Sequence, residues 1–235
     1  MSTKATLSII IPVFNEQLLI NTCINSIKAN LGSDHEIIVV DGSPDSSTIA
    51  SINDKSIICV SSSAGRAIQM NTGAMIATGD ILVFLHADTT FPPNSASLIR
   101  EALTPPEVVA GAFKLSFDDK SFLSKLIAYM ANIRTALERV PYGDQAPFID
   151  KDTFITIGGF PLIPIMEDVE LFQDIKKRKL KIILLQETVT TSARRFKQTG
   201  MICGFLRNWL LRILHTFGVS PINLKKMYKN HGDRR

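Results

Sequence analysis

A histidine and a carboxylate close the stretch Asp80-Ile81-Leu82-Val83-Phe84-Leu85-His86-Ala87-Asp88. Five consecutive apolar residues read as a strand buried on both faces, with His86, Ala87 and Asp88 at its carboxyl end. In open parallel sheets ligands collect outside the carboxyl ends of the strands, so a carboxylate at Asp88 can meet a divalent cation already bound to phosphate. Other polar groups have comparable positions. The loop Asp41-Gly42-Ser43-Pro44-Asp45-Ser46-Ser47 follows an apolar run and carries two carboxylates and three hydroxyls, and Arg194-Arg195 follows the last apolar run.

The elements that must position these groups are legible as an alternation. Leu7 to Val13 is a β-branched strand with Pro12 near its end, where no ladder donor is needed. Phe14-Asn15-Glu16 turns the chain into a helix carrying Leu18, Leu19, Cys23, Ile24 and Ile27, which stops at Asn30-Leu31-Gly32. Strands are expected at Glu36 to Val40 and Ser56 to Ser61, and a helix after Gly65-Arg66. The strand ending at Asp88 is followed by a helix to Leu103, and a further strand is expected at Val108 to Leu115. This order makes the chain α/β with a mostly parallel sheet.

Farther along, Phe122 to Leu137 has helical periodicity and Tyr142-Gly143-Asp144-Gln145 reads as a polar loop. A helix starts near Glu167-Asp168 and ends in the basic run Lys176 to Lys179. Two final strands are expected at Lys181 to Leu185 and Thr188 to Ser192. Between Met201 and Val219 one helical face is apolar (Ile202, Phe205, Leu206, Trp209, Leu210, Ile213, Leu214, Phe217) and the other carries Arg207, Asn208, Arg212 and His215; Leu211 breaks the pattern. Two arginines at about 2.5 to 3.5 kcal/mol each argue against a membrane span. An in-plane membrane helix and a helix packed on the domain or on a second subunit both fit.

With 235 residues, 45% of them hydrophobic, the chain can build one substantial core with an appendage. Cys23, Cys59 and Cys203 lie in apolar surroundings at no metal-ligand spacing, so a reducing compartment and three core thiols are expected. The first strand begins too near Met1 to leave room for a signal peptide, which points to the cytoplasm, with a peripheral membrane position if the late helix binds lipid. The net charge of +4 hides an asymmetry. Fifteen Lys and Arg against Glu187 and Asp233 give +13 from Lys176 onward and leave −9 before it. Nucleic acid, anionic lipid or a phosphorylated ligand would each suit that basic quarter. Its aromatics are not interleaved with the basic residues apart from Phe196, Trp209 and Tyr228, so no nucleic acid is expected.

Five segments in order, Ile9 to Glu16, Val40 to Ser47, Gly65 to Asn71 with Gly73 and Ala74, Gly79 to Asp88, and Glu167-Asp168, resemble the family 2 glycosyltransferases over roughly residues 7 to 195. His86-Ala87-Asp88, in place of the family's D-x-D motif, and Gly65 to Asn71 look like a bacterial subgroup. The resemblance implies the GT-A fold, a Rossmann-like α/β fold with a mostly parallel sheet. Residues 1–197 would form this domain, with nucleotide-sugar-binding (1–104) and acceptor-binding (105–197) halves, followed by a basic amphipathic helical tail (198–235). It implies an inverting, metal-assisted transfer from a nucleotide-diphosphate sugar to an acceptor hydroxyl, the acceptor being lipid-linked, a small molecule or a saccharide.

Residue by residue, the resemblance implies that Pro12, Asn15, Glu16 and Asp41 hold the nucleoside. Asp88 anchors Mn²⁺ or Mg²⁺, with His86 a further ligand or a contact to ribose or phosphate. Arg66, Arg194 and Arg195 lie near the diphosphate, where forked guanidinium groups suit phosphate oxygens. Gly143, Asp144, Gln145 and Glu167 line the acceptor side, and Asp168 is the general base. Several have a plainer reading. Asp41 can stabilise its own loop as an Asx turn, His86 can be a hydrogen-bonded structural histidine, Glu167 and Asp168 can simply favour a helix start, and Arg194-Arg195 can be surface charge.

Two other functions compete. A nucleotidyltransferase would need a glycine-rich loop that Ile11 to Glu16 lacks. A catalytically weak nucleotide-sugar-binding or membrane-associated partner protein would suit His86 and the tail, and a homodimer through the 201–219 helix is a further arrangement.

Overall fold

The computed structural model describes residues 5–32 and 34–229. Strand β1 (Leu7–Val13) lies between β2 (His35–Asp41) and β4 (Ile81–Phe84), parallel to both, and β2 pairs in parallel with β3 (Ile58–Ser61). Alternation along β1 explains why it reads as wholly apolar: Leu7, Ile9, Ile11 and Val13 face one layer of helices and Ile10 the other. β4 does the same, with Ile81 and Val83 on one side and Leu82 and Phe84 on the other. Helices α1 (Ile20–Leu31) and α4 (Ser95–Ala102) cover the first side. The second carries α3 (Arg66–Ile76), reached through β3 and the one-turn α2 (Ser47–Ala50), and lies close enough to β1 that a Cβ on Gly73 would fall 2.5 Å from Ile10.

The remaining strands complete an eight-stranded sheet of order β3-β2-β1-β4-β7-β6-β8-β5. β6 (Val108–Phe117) and β8 (Lys181–Thr191) are mutually parallel. β7 (Phe148–Asp150) runs antiparallel between β4 and β6, and the two-residue β5 (Thr89–Thr90) runs antiparallel to the end of β8. The carboxyl ends of β1, β4, β6 and β8 therefore open on one edge.

The expected pair of final strands is one strand, β8, whose register with β6 shifts between Ala112 and Lys114. The third strand starts at Ile58 instead of Ser56. Of the three thiols only Cys23 is in the core, while Cys59 and Cys203 are exposed.

Helix α5 (Phe122–Glu138) leads to a 3₁₀ turn (Gly143–Gln145), and α6 (Lys151–Thr156) follows β7. The loop beyond is tied to α3 by a reciprocal pair: Asn71 Nδ2 donates to the Phe160 carbonyl at 2.8 Å and Phe160 N–H donates to Asn71 Oδ1 at 2.9 Å. That anchor positions the start of α7 (Glu167–Lys177), whose first turn carries Glu167, Asp168 and Glu170 and whose last carries Lys176 and Lys177, as the helix dipole favours. After β8 come α8 (Arg194–Thr199), α9 (Met201–Thr216) and α10 (Pro221–Lys229). α9 and α10 pack back on the body, burying Leu211, His215 and Leu224. Leu211 breaks the apolar stripe of α9 because it lies on the opposite, inward face.

Candidate active site

The open edge of the sheet holds a cleft of about 860 Å³. Pro12, Glu16, Arg66, His86, Ala87, Asp88, Gly143, Asp144, Glu167 and Asp168 all line it, so groups dispersed over more than 150 positions converge. The sheet direction accounts for this: β1 and β4 deliver Pro12 and His86 to Asp88 at their ends, and α3 and α7 each begin at the same edge.

Asp168 is fixed at both oxygens. Its Oδ2 accepts from the Gly143 N–H at 2.8 Å, and its Oδ1 accepts from Val169 N–H at 2.8 Å in the first turn of α7. Gly143 is required at this approach, since a Cβ there would lie 2.8 Å from His86 Nε2 and 3.8 Å from Asp168 Oδ2. The strand end and the helix start thus meet across one glycine.

Behind the cleft lining, Arg194 donates from Nη2 to both oxygens of Glu16, at 2.8 and 2.9 Å, and lies 3.5 Å from Asp88 Oδ2. Partial burial alone would lower the Arg194 pKa, but the Glu16 hydrogen bonds and the charges of Glu16 and Asp88 carry it above its ordinary value. Thr191 Oγ1 is 3.5 Å from the other Asp88 oxygen. Asp88 therefore keeps one oxygen lightly engaged toward the cleft.

Asp144 is a strongly perturbed carboxyl of the cleft. Burial, with the neighbouring Asp168 and Asp88 charges and against Arg134 and Arg66, pushes its pKa up to about 6, and its Oδ1 is buried without a hydrogen-bond partner. Glu167, 3% exposed, is also raised, by burial and by Asp168, although Arg66 stands 3.5 Å away. Strongly shifted carboxyls in a cleft are a mark of functional sites.

Residues 8–165 match the family described as glycosyl transferase family 2. The chain belongs to that family. A curated relative, an uncharacterized glycosyltransferase (alr2836) of Nostoc sp., is 32% identical over 120 residues, 48% of this chain; the chain spans 37% of that relative's length. Among solved structures, the mannosyltransferase PcManGT of Pyrobaculum calidifontis, determined with GDP-Man and Mn²⁺, superposes with a TM-score of 0.64 at 20% identity, covering 80% of this chain and 57% of that one. The family 2 chain thus has the GT-A fold. The family match stops at residue 165, short of Glu167 and Asp168.

Four residues of the family reading sit elsewhere. Asp41 is fully buried and spends both oxygens on its own loop: Oδ1 accepts from Ser43 N and Oγ at 2.8 and 2.6 Å, and Oδ2 from Thr48 N and Ile49 N at 3.0 and 3.2 Å. It is an Asx-type brace and does not line the cleft. Gln145 is equally buried and accepts from Thr135 Oγ1 at 2.8 Å and Tyr142 N–H at 3.2 Å while donating to the Phe113 carbonyl at 3.2 Å. It supports the Gly143 turn from behind. Asn15, at φ 55, is exposed and joined to Ser43 only through its backbone, and Arg194 lies behind Asp88 and Glu16. The Arg195 side chain lies outside the described residues.

The sequence reading missed one whole wall. Arg207, Asn208 and Leu211 of α9 and Lys225 and Tyr228 of α10 line the cleft, with Arg207 stacked 4.6 Å over the Tyr228 ring. Tyr142, under Arg134 at 3.4 Å and with its phenol pushed up to about 12 by burial, forms the floor beside Gly143. The polar face of α9 was the available signal for this wall.

A divalent cation fits this family 2 site only in part through protein. Among the described residues no group of three or more His, Cys, Asp and Glu is arranged so that it alone could hold a metal ion. Asp88, whose oxygens meet Arg194 and Thr191 only at 3.5 Å, suits a cation that draws its remaining ligands from a diphosphate and water.

Proposed function

We propose that this chain is an inverting glycosyltransferase that moves a sugar from a nucleotide-diphosphate sugar to an acceptor hydroxyl. The observation that carries the reading is Asp168, whose carboxylate is held at both oxygens in the cleft that Asp88 also lines. In the reaction the acceptor oxygen attacks the anomeric carbon, the bond from that carbon to the diphosphate breaks, and the hydroxyl proton passes to Asp168. A carboxylate fixed on a helix start and a backbone N–H is prepositioned for that transfer.

The cation would be held by Asp88, with His86 beside it; when bound, it neutralises charge developing on the leaving diphosphate. Pro12 and Glu16 border the nucleoside end, Arg66 the phosphates, and Gly143, Asp144 and Glu167 the acceptor. Arg194 acts through Glu16 and Asp88 by fixing their orientation. The GDP-Man and Mn²⁺ of the solved mannosyltransferase favour a nucleotide sugar and a divalent ion here.

Thermal unfolding with UDP-, GDP-, CMP- and dTDP-sugars, each with and without Mn²⁺ or Mg²⁺, tests the reading, because a ligand that binds only the folded chain raises its stability with concentration. Metal-dependent stabilisation by one diphosphate sugar is expected. No stabilisation by any of them would remove the donor assignment, and stabilisation without turnover on any acceptor would leave a nucleotide-sugar-binding protein.

A further inference from the structure

Surface helices ordinarily turn their apolar face to the core. α9 does so only through Met201, Phe205 and Leu211. Its polar face points inward, with Arg212 paired to Glu138 at 2.9 Å and His215 Nε2 3.0 Å from Glu170. Its outward stripe, Ile202, Leu206, Trp209, Leu210, Ile213 and Phe217, is 41% to 83% exposed.

The neighbouring α5 repeats the pattern at identical spacing. Phe122, Leu126, Tyr129, Met130, Ile133 and Leu137 are 37% to 81% exposed. Both helices pack inward on one small apolar cluster, α5 through Ile127 and Ala128 and α9 through Met201 and Phe205, and the Arg212–Glu138 pair joins them. Their outward stripes therefore lie side by side, each about 22 Å long at 1.5 Å per residue. Contiguous exposed apolar surface of this kind marks an interaction site.

The rim of this face is cationic. Lys120, Lys125, Arg139 and Lys226 are exposed, and no Asp or Glu occurs from residue 188 to residue 229. The flanking carboxylates are engaged, Asp119 by Lys197 at 3.1 Å and Glu138 by Arg212.

We propose that α5 and α9 together form an in-plane docking surface for an anionic lipid bilayer. Apolar stripes of Trp, Phe and Leu enter the acyl boundary while rim cations meet headgroup phosphates. A two-fold contact with a second copy would instead set the same cations against themselves. Among the described residues no helix is long and apolar enough to cross a membrane, which suits lateral contact.

Flotation of the full chain with vesicles of phosphatidylcholine alone, and of phosphatidylcholine with phosphatidylglycerol, tests this independently of the reaction. Binding only to the phosphatidylglycerol vesicles, weakened by salt, is expected. Trp209 is the sole tryptophan, so its emission should shift to the blue and be quenched by brominated acyl chains, a readout that needs no substitution. The double variant L206E/L210E should lose flotation with its circular dichroism unchanged, whereas L18E, at a position 95% exposed on another face, should float like the parent chain. Absence of flotation, equal binding to phosphatidylcholine alone, or flotation and Trp209 quenching unaffected by L206E/L210E would overturn the proposal. A dimer by light scattering that L206E/L210E dissolves, without flotation of the parent, would assign the face to a second copy.

Discussion

The Gly143 N–H donates to Asp168 Oδ2 at 2.8 Å, so the proposed base is held by the same turn whose Cα faces His86. A methyl group on Gly143 would lie 2.8 Å from His86 Nε2, closer than side chains tolerate. Gly143→Ala should therefore displace His86 or the turn. Overpacking of this kind costs about 1–3 kcal/mol, and a misplacement near 1 Å lowers turnover about 10²-fold. Steady-state kinetics and urea unfolding of Gly143→Ala and of Gly143→Ala with His86→Ala check it: the double variant should regain stability, and an unperturbed single variant would contradict the contact.

Asp168→Asn keeps the shape and removes the proton acceptor. Turnover should fall roughly 10²- to 10⁴-fold, the usual worth of general base catalysis, while donor affinity stays near that of the parent chain. Isothermal titration with the donor beside a transfer assay separates the two. Asp88→Ala should show the opposite split, with loss of the metal-dependent part of donor binding; unchanged affinity in Mn²⁺ would remove Asp88 from the site.

Asp144 sets a pH dependence whose sign follows from its raised pKa. The carboxyl moves from an ordinary 3.8 to about 6 on folding, so the folded chain keeps its proton longer than the unfolded chain and loses stability as pH rises through that window. The penalty above the window reaches about 3 kcal/mol. Asp144→Asn should raise the melting temperature at pH 8 by several degrees, at roughly 2–4 °C per kcal/mol, and leave it nearly unchanged at pH 4. A parallel pair of melting curves across pH would refute the assignment.

Gln145 joins the cleft floor to the core. Its side chain meets Thr135, the Tyr142 N–H and the Phe113 carbonyl in a site closed to water, so Gln145→Ala leaves several buried groups unsatisfied. The expected cost is about 3 kcal/mol. Chemical denaturation measures it, and a loss under 1 kcal/mol would show that water repairs the gap.

Local chemistry alone determined a good part of this chain. β1, β2 and β4 are apolar runs because both faces of each are covered, and that pattern needs no knowledge of the partners. The carboxylate after β4 and the acidic first turn of α7 follow from the same reading, since strand ends and helix starts are local features. What a residue's neighbours across the fold do with it is a long-range property. Asp41 and Gln145 are polar residues in loops by sequence, and only folding decided that their hydrogen bonds are consumed inside the protein. β7 is three residues long, too short to carry a period, and exists because β4 and β6 stand ready on either side. α9 shows the limit most plainly. Periodicity separates its two faces, but only tertiary structure decided that Arg212 and His215 turn toward Glu138 and Glu170 of the body, leaving Trp209 and its neighbours outward.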